Sequence, residues 1–471
     1  MIKKLLFSLL LLALPFTCFS ADRYWVGGAD TNNWLETSPT TNWSASSGGA
    51  LDASIPGSFD DVYFDVNSLD CTMDSGGSGQ NFDFTSYTNT LNHTGGNFQA
   101  YGNVTLVSGA YTYNSASRWF RMRATGNLIT DGVNLPVLVV DGGATTVTFA
   151  DTITVATINL ISGTLDTNGQ AVTCVSLSSS NSNTRTLDLG ASTVTVTGGG
   201  GSATTVWNFV TSTNLTFTEG TSTIIFTGAN ARIYPGSETF YEVQFTGSGA
   251  PLINGGCNFT TLTRTGTAVK TDSLKIWGTS TVSGTLTLNG NSATNRLLVL
   301  SNSFGDDQTI SAGTVVSNNA DYREIIGAGT GDWDLSGGLV GDCGGNTGIT
   351  FTTADIMYWH VDAGLWSDAN KWFLATDGGG GAGRTPLPQD DVVFDANSFD
   401  NGSQTITMDM PRVGKSVNFT GITDSPTFND TIPWTIYGSL TLVSGMTWLH
   451  NQNTYFEGRG AFTLTSAGKS F

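Results

Sequence analysis

The chain has 471 residues, of which only 12% are charged, while Gly alone contributes 59. Its acids are 32 Asp against 6 Glu, and with abundant Asn, Ser and Thr this argues against a helix-rich enzyme and for an all-β, turn-dense fold. A formal charge of −19 also argues against nucleic acid as a partner, which needs clustered Lys and Arg.

In chain order, residues 1–20 read MIKKLLFSLLLLALPFTCFS. Lys3 and Lys4 open the segment, an apolar run from Leu5 to Leu14 follows, and Pro15 precedes a small-residue exit. This is the pattern of a secretion signal cleaved after Ser20. Pro15-Phe16-Thr17 lacks the small residues expected before a lipidated Cys18, and no later run is long enough for a transmembrane helix. The expectation is a secreted chain beginning at Ala21. Cys71, Cys174, Cys257 and Cys343 follow at wide, irregular spacing with no CxxC pair, so they read as small buried residues rather than a metal knuckle or disulfide framework.

A long-range duplication sets the organisation. Tyr24-Trp25, Trp34, Asn42-Trp43, Pro56 and Asp60-Asp61-Val62-Tyr63-Phe64-Asp65 return as Tyr358-Trp359, Trp366, Lys371-Trp372, Pro386 and Asp390-Asp391-Val392-Val393-Phe394-Asp395. YGNVTLVSG from Tyr101 returns as YGSLTLVSG from Tyr437. The expected division is a signal over 1–20, a Trp-rich cap with the first coils over 21–120, a body over 121–356, and an incomplete second copy of the cap and first coils over 357–471. The second copy stops in mid-pattern, as expected of a fragment of a longer repeat protein.

Between these landmarks lie short alternating runs such as Val147-Thr148-Phe149, Leu187-Asp188-Leu189, Val194-Thr195-Val196 and Leu286-Thr287-Leu288, each followed by turn residues. Alternation buries one face of each strand. Strands that recur roughly every 20 residues fit the coils of a parallel β-helix, or β-solenoid. About 16 coils at ~4.8 Å spacing would make the first copy an elongated stack of roughly 75 Å. Stacked sandwiches would need longer strands and more hairpin turns. The expected fold is therefore an all-β, elongated parallel β-solenoid, with a Trp-rich N-terminal capping block that recurs near the C-terminus. Trp25, Trp34 and Trp43 would cover the apolar end of the first coil, with Val62 and Phe64 in the first buried strand.

The block Trp34…Asn42-Trp43…Pro56…Asp60-Asp61-Val62-Tyr63-Phe64 resembles the opening of secreted bacterial β-solenoid surface proteins, notably autotransporter-like passenger regions. The resemblance covers about 50 residues at each of two sites and implies a right-handed parallel β-helix exported to the cell surface or beyond, adhesive or structural in role. An autotransporter proper ends in a membrane β-barrel, and no such strand series is visible before Phe471.

The densest acidic constellation is Asp60, Asp61, Asp65 and Asn67, repeated as Asp390, Asp391, Asp395 and Asn397. It is the candidate site for Ca²⁺, the one cofactor considered, since hard cations take carboxylate, amide and carbonyl oxygens. The competing reading is turn chemistry, in which Asp and Asn accept from nearby backbone N–H groups. Asp pairs also suggest a β-helix polysaccharide hydrolase or lyase. However, the clearest pair sits inside the duplicated cap, and Glu219, Glu238, Glu242 and Glu324 are scattered. His93, His360 and His450 form no ligand spacing, and Lys270 and Lys275 are the available lyase bases. Arg118, Arg121 and Arg123 read as a solvated strand face.

Trp119, Trp207, Trp277 and Trp333 lie outside the cap and are the candidates for stacking on sugar rings. Thr193-Val194-Thr195-Val196-Thr197 suggests an ice-binding row, but Asn, Asp and Ser interrupt such a row elsewhere. The reading reached is a secreted, non-catalytic surface β-solenoid, adhesive or structural, that meets extracellular glycans or cell-surface components and self-associates through solenoid ends. No catalytic residue is assigned. The alternative is the hydrolase or lyase.

Overall fold

The computed structural model describes residues 20–200 and 205–471. The expected secretion signal, apart from Ser20, and Cys18 lie outside the described residues. The chain forms two compact units. The first runs to Cys174 and takes in Asn181–Ser192 and Thr213–Thr218, and the second comprises Val175–Ser180, Thr193–Ser212 and Glu219–Phe471. Nearly all regular structure is β, and the strands stack in parallel as a β-solenoid. No helix among the described residues is long and apolar enough to cross a membrane.

The first unit opens with Asp22–Trp25, which pairs antiparallel with Trp43–Ser44 and parallel with Asp61–Tyr63. From there a parallel ladder carries Val62 onto Phe82, Val104, Leu128 and Phe149 in register. These side chains point inward because strand alternation puts every second residue on the same face, and all five are buried. Each buried apolar side chain of this size contributes about 1.5–3 kcal/mol. Asn168 and Gly169, with φ of 51° and 71°, turn the chain after Ile153–Asp166 in left-handed conformations that few other residues tolerate.

Trp25, Trp34 and Trp43 form one fully buried aromatic cluster at the head of this stack. Trp43 meets Trp25 and Trp34 edge-on, at centroid distances of 5.1 and 4.6 Å. Its indole N–H donates to Trp34 O at 3.1 Å. Phe64 then stacks on Phe84 at 4.5 Å, which continues the cluster into the coils.

The second unit contains the rest of the body and the whole second copy, so the sequence boundary at 357 falls inside it. One body ladder runs through Thr193–Val196, Thr223–Phe226, Thr239–Phe245, Cys257–Thr265, Ser280–Asn289, Gln308–Asn318 and Ile325–Gly329. A second runs through Thr205–Asn208, Arg232–Tyr234, Leu252–Asn254, Ser273–Trp277, Leu297–Ser301, Ala320–Arg323 and Gly341–Asp342.

The second copy repeats the first down to its geometry. Ile356–Trp359 pairs antiparallel with Trp372–Phe373 and parallel with Asp391–Val393. Trp372 meets Trp359 and Trp366 edge-on, at 5.1 and 4.8 Å, and donates its indole N–H to Trp366 O at 2.9 Å. Phe394 stacks on Phe419 at 4.5 Å. A Trp-rich block therefore heads two coil stacks in one chain.

Within the second unit this copy packs on the last body coils. All four residues of Ala320–Arg323 are buried, the outward-pointing ones included, because the second copy covers that face. Asp321 lies between Arg296, whose Nε donates to Oδ1 at 3.0 Å, and Arg412, whose Nε donates to Oδ2 at 2.5 Å. Gln389 donates to Thr352 O at 2.8 Å and accepts from Asp342 N at 2.8 Å.

Candidate functional site

The acidic constellation of the cap is engaged by its own chain. Asp60 accepts from Gly57 N at 2.8 Å and Ala21 N at 3.2 Å, and Arg23 approaches it at 3.9 Å. Asp61 accepts from the Asn81 amide at 2.6 Å, and Asp65 accepts from Asn67 N at 2.8 Å. Asn67 turns its amide to Ser47.

The second set behaves alike. Asp390 accepts from Leu387 N at 2.6 Å and Asp355 N at 2.8 Å and is paired with Arg384. Asp395 accepts from Asn397 N at 2.9 Å and from the Thr376 hydroxyl. The Asp391 side chain is exposed, on the strand face opposite buried Val392.

Among the described residues no group of three or more His, Cys, Asp or Glu is placed to hold a metal ion. Asp60, Asp65, Asp390 and Asp395 accept from backbone N–H groups, as in turn chemistry, Asp61 from an amide, and Asp390 also from a guanidinium group, so these oxygens do not converge on one Ca²⁺ cage.

The four candidate tryptophans separate into two pairs. Trp207 is fully buried because the register slips between Thr205 and Trp207, so Val206 and Trp207 both turn inward. Trp333 is buried against Gly327, where a side chain would strike the indole, and its N–H donates to Ala328 O at 2.8 Å. Neither presents a ring face to solvent, which corrects their assignment as sugar platforms. Trp119 and Trp277 do present one, at 40% and 51% exposure, each at an outward position of a body strand.

Trp119 stands beside the arginine cluster. The Arg121 guanidinium lies 5.2 Å from its ring centroid, Arg121 and Arg123 share Asp141, and Arg118 donates to Asn114 at 2.9 Å. Trp277 stands on the outer face of Ser273–Trp277, two residues from Lys275. Lys275, with Asn230, Arg232, Ala250, Leu252 and Asn302, lines an open depression of about 290 Å³.

The three histidines are far apart in role as well as in sequence. His93 is buried, with Nδ1 2.7 Å from the Tyr111 hydroxyl and Nε2 3.2 Å from Gly96 O. Since Gly96 O only accepts, Nε2 carries the proton and Nδ1 accepts from Tyr111. Burial lowers its pKa and favours the neutral ring. His450 contacts Asp430 at 2.5 Å. All four described cysteines are buried, none in a disulfide, and burial raises every thiol, that of Cys174 to about 12.

Sequence reasoning missed the buried arginines. Arg264 points into the stack in register with Phe245 and Leu288, donates to the carbonyls of Phe245 and Gly249 at 3.2 Å, and lies 3.7 Å from buried Asp272. An inward strand position next to apolar neighbours was the only available signal.

Fold and surface together define a parallel β-solenoid with two tryptophan-headed stacks and exposed aromatics on its coils. No protein-family description, no curated protein and no solved structure matches the chain.

Proposed function

We propose that the chain is an exported, non-catalytic scaffold, adhesive or structural, that holds glycans on aromatic faces displayed along its coils. The observation that carries this reading is the contrast among tryptophans. Trp25, Trp34, Trp43, Trp207, Trp359, Trp366 and Trp372 are sealed in the core, whereas Trp119 and Trp277 turn their rings outward on rigid strands. An indole fixed at the surface costs solvation without adding to the core. Its flat apolar face matches the C–H face of a pyranose, and a strand already ordered by its neighbours loses little entropy on binding. Most cap carboxylates are engaged in turns and ion pairs, which suits a structural role for that block.

Two measurements test this. N-terminal sequencing of protein released by expressing cells is expected to begin at Ala21, and retention of the full chain inside the cell would oppose export. Retention on immobilised polysaccharides is expected to fall about tenfold in Trp277→Ala or Trp119→Ala, with circular dichroism unchanged. Undiminished retention in both variants would remove the aromatic faces from the account.

A further inference from the structure

The outer face of one body ladder carries cations in register. Arg232 aligns with Leu252, Leu252 with Lys275, Lys275 with Leu300, and Leu300 with Arg323. One row along, Tyr234 follows Arg232, and Asn254 aligns with Trp277. Arg232, Lys275 and Arg323 thus fall on alternate coils, with Leu252 and Leu300 between them, and Tyr234 and Trp277 stand one row along on the coils of Arg232 and Lys275. Arg232 and Lys275 are two strand spacings apart, about 10 Å.

The far end of the basic row shows what it accepts. Arg323 is paired with the carboxylate of Glu457 from the second copy, beneath which Ala320–Arg323 is buried. Lys275 has no ion-pair partner among the described residues, and with Arg232 it lines the open depression, two residues before Trp277 on the same outer strand face.

Resting on the glycan reading above, we propose that this face binds an acidic polysaccharide. Carboxylates of uronate residues meet Lys275 and Arg232 across the depression, and the sugar rings lie along Trp277 and Tyr234. The same row binds a carboxylate at Arg323, and a surface carrying both cations and flat rings fits a sugar acid better than an acidic peptide, which offers no ring-sized apolar face. In a chain of net charge −19, such a row attracts an anion only at close range, so binding weakens as salt rises.

The test uses an oligogalacturonate, its methyl ester, a neutral galactan and polyglutamate, titrated against the wild type, Lys275→Gln and Trp277→Ala. Lys275 is partly exposed, so Lys275→Gln keeps the fold, which circular dichroism verifies. Tightest binding to the oligogalacturonate is expected, with about tenfold loss on esterification and again in Lys275→Gln. Equal binding of the acid, ester and galactan, all weakened in Trp277→Ala, would overturn the acid preference and leave the glycan reading intact. Polyglutamate binding as tightly as oligogalacturonate would overturn it in favour of a protein partner. No binding to any glycan would overturn both.

Discussion

Arg412 and Asp321, 91 residues apart, meet at 2.5 Å in a buried ion pair that ties the second copy to the last body coils. Arg296 holds the other side of the same carboxylate, and its Nη2 also donates to Leu339 O at 2.7 Å. Three charges are shut away from water with their polar atoms largely satisfied. Removing one therefore leaves an uncompensated charge. Arg412→Gln or Asp321→Asn is expected to cost about 3–5 kcal/mol, read as a lower urea midpoint followed by tryptophan fluorescence. A shift below about 0.5 kcal/mol would mean that the pair does not lock the interface.

The same carboxylate makes the interface sensitive to acid. Burial raises the Asp321 pKa, but the charges and hydrogen bonds of Arg296 and Arg412 outweigh burial and hold it below the ordinary value. A group whose folded pKa is lowered adds stability above its unfolded value, about 4, and loses it as pH falls through the folded value. Limited proteolysis is expected to spare the segment around residue 355 at pH 7 and to cut there increasingly below about pH 4. Asp321→Asn should flatten that profile.

His93 adds an acid effect at higher pH in the first unit. Its lowered pKa means that the unfolded chain takes up the proton first, so stability declines as pH drops below about 6.5 and levels off beneath the folded value. His93→Gln should remove that part of the stability–pH curve, as measured by thermal melts between pH 7 and 5.

Buried thiols should be silent in the native chain. Desolvation disfavours the thiolate at Cys71, Cys174, Cys257 and Cys343. In the chain from Ala21, Ellman's reagent is expected to find almost no fast thiol in buffer and all four in guanidinium. A fast-reacting thiol in folded protein would contradict this packing.

The paired indoles should be equally costly to remove. Trp43 and Trp372 occupy matching places, each donating to the carbonyl of the tryptophan it packs against. Replacing either with Ala is expected to destabilise its own stack by about 3–5 kcal/mol. Measured by hydrogen exchange, Trp43→Ala should loosen the first coils and Trp372→Ala the second copy.

The coil architecture was legible because strand alternation and turn residues are local properties, and the duplication showed where two stacks begin. Val62, Phe64 and the cap tryptophans could be placed inward from their spacing alone. The turn role of the cap acids was legible from their Asp and Asn spacing, but the guanidinium partners of Asp60 and Asp390 were not. Asp60 is approached by Arg23, upstream in the chain, whereas Asp390 is paired with Arg384, only six residues away.

The burial of Trp207 and Trp333 was equally hidden. One depends on a register slip and the other on the space left by Gly327. The row formed by Arg232, Lys275 and Arg323 exists only once coils are stacked in register, so no local pattern announces it.

The central claim, glycan binding without turnover, is tested most directly by holding the protein from Ala21 to Phe471 with soluble acidic and neutral polysaccharides for a day. Bound fraction, new reducing ends and unsaturated uronate absorbance are followed together. The account predicts retention that depends on Trp277 and Trp119, with no product formed. Steady release of reducing ends or unsaturated uronate by folded protein would contradict it and identify the chain as a polysaccharide-cleaving enzyme.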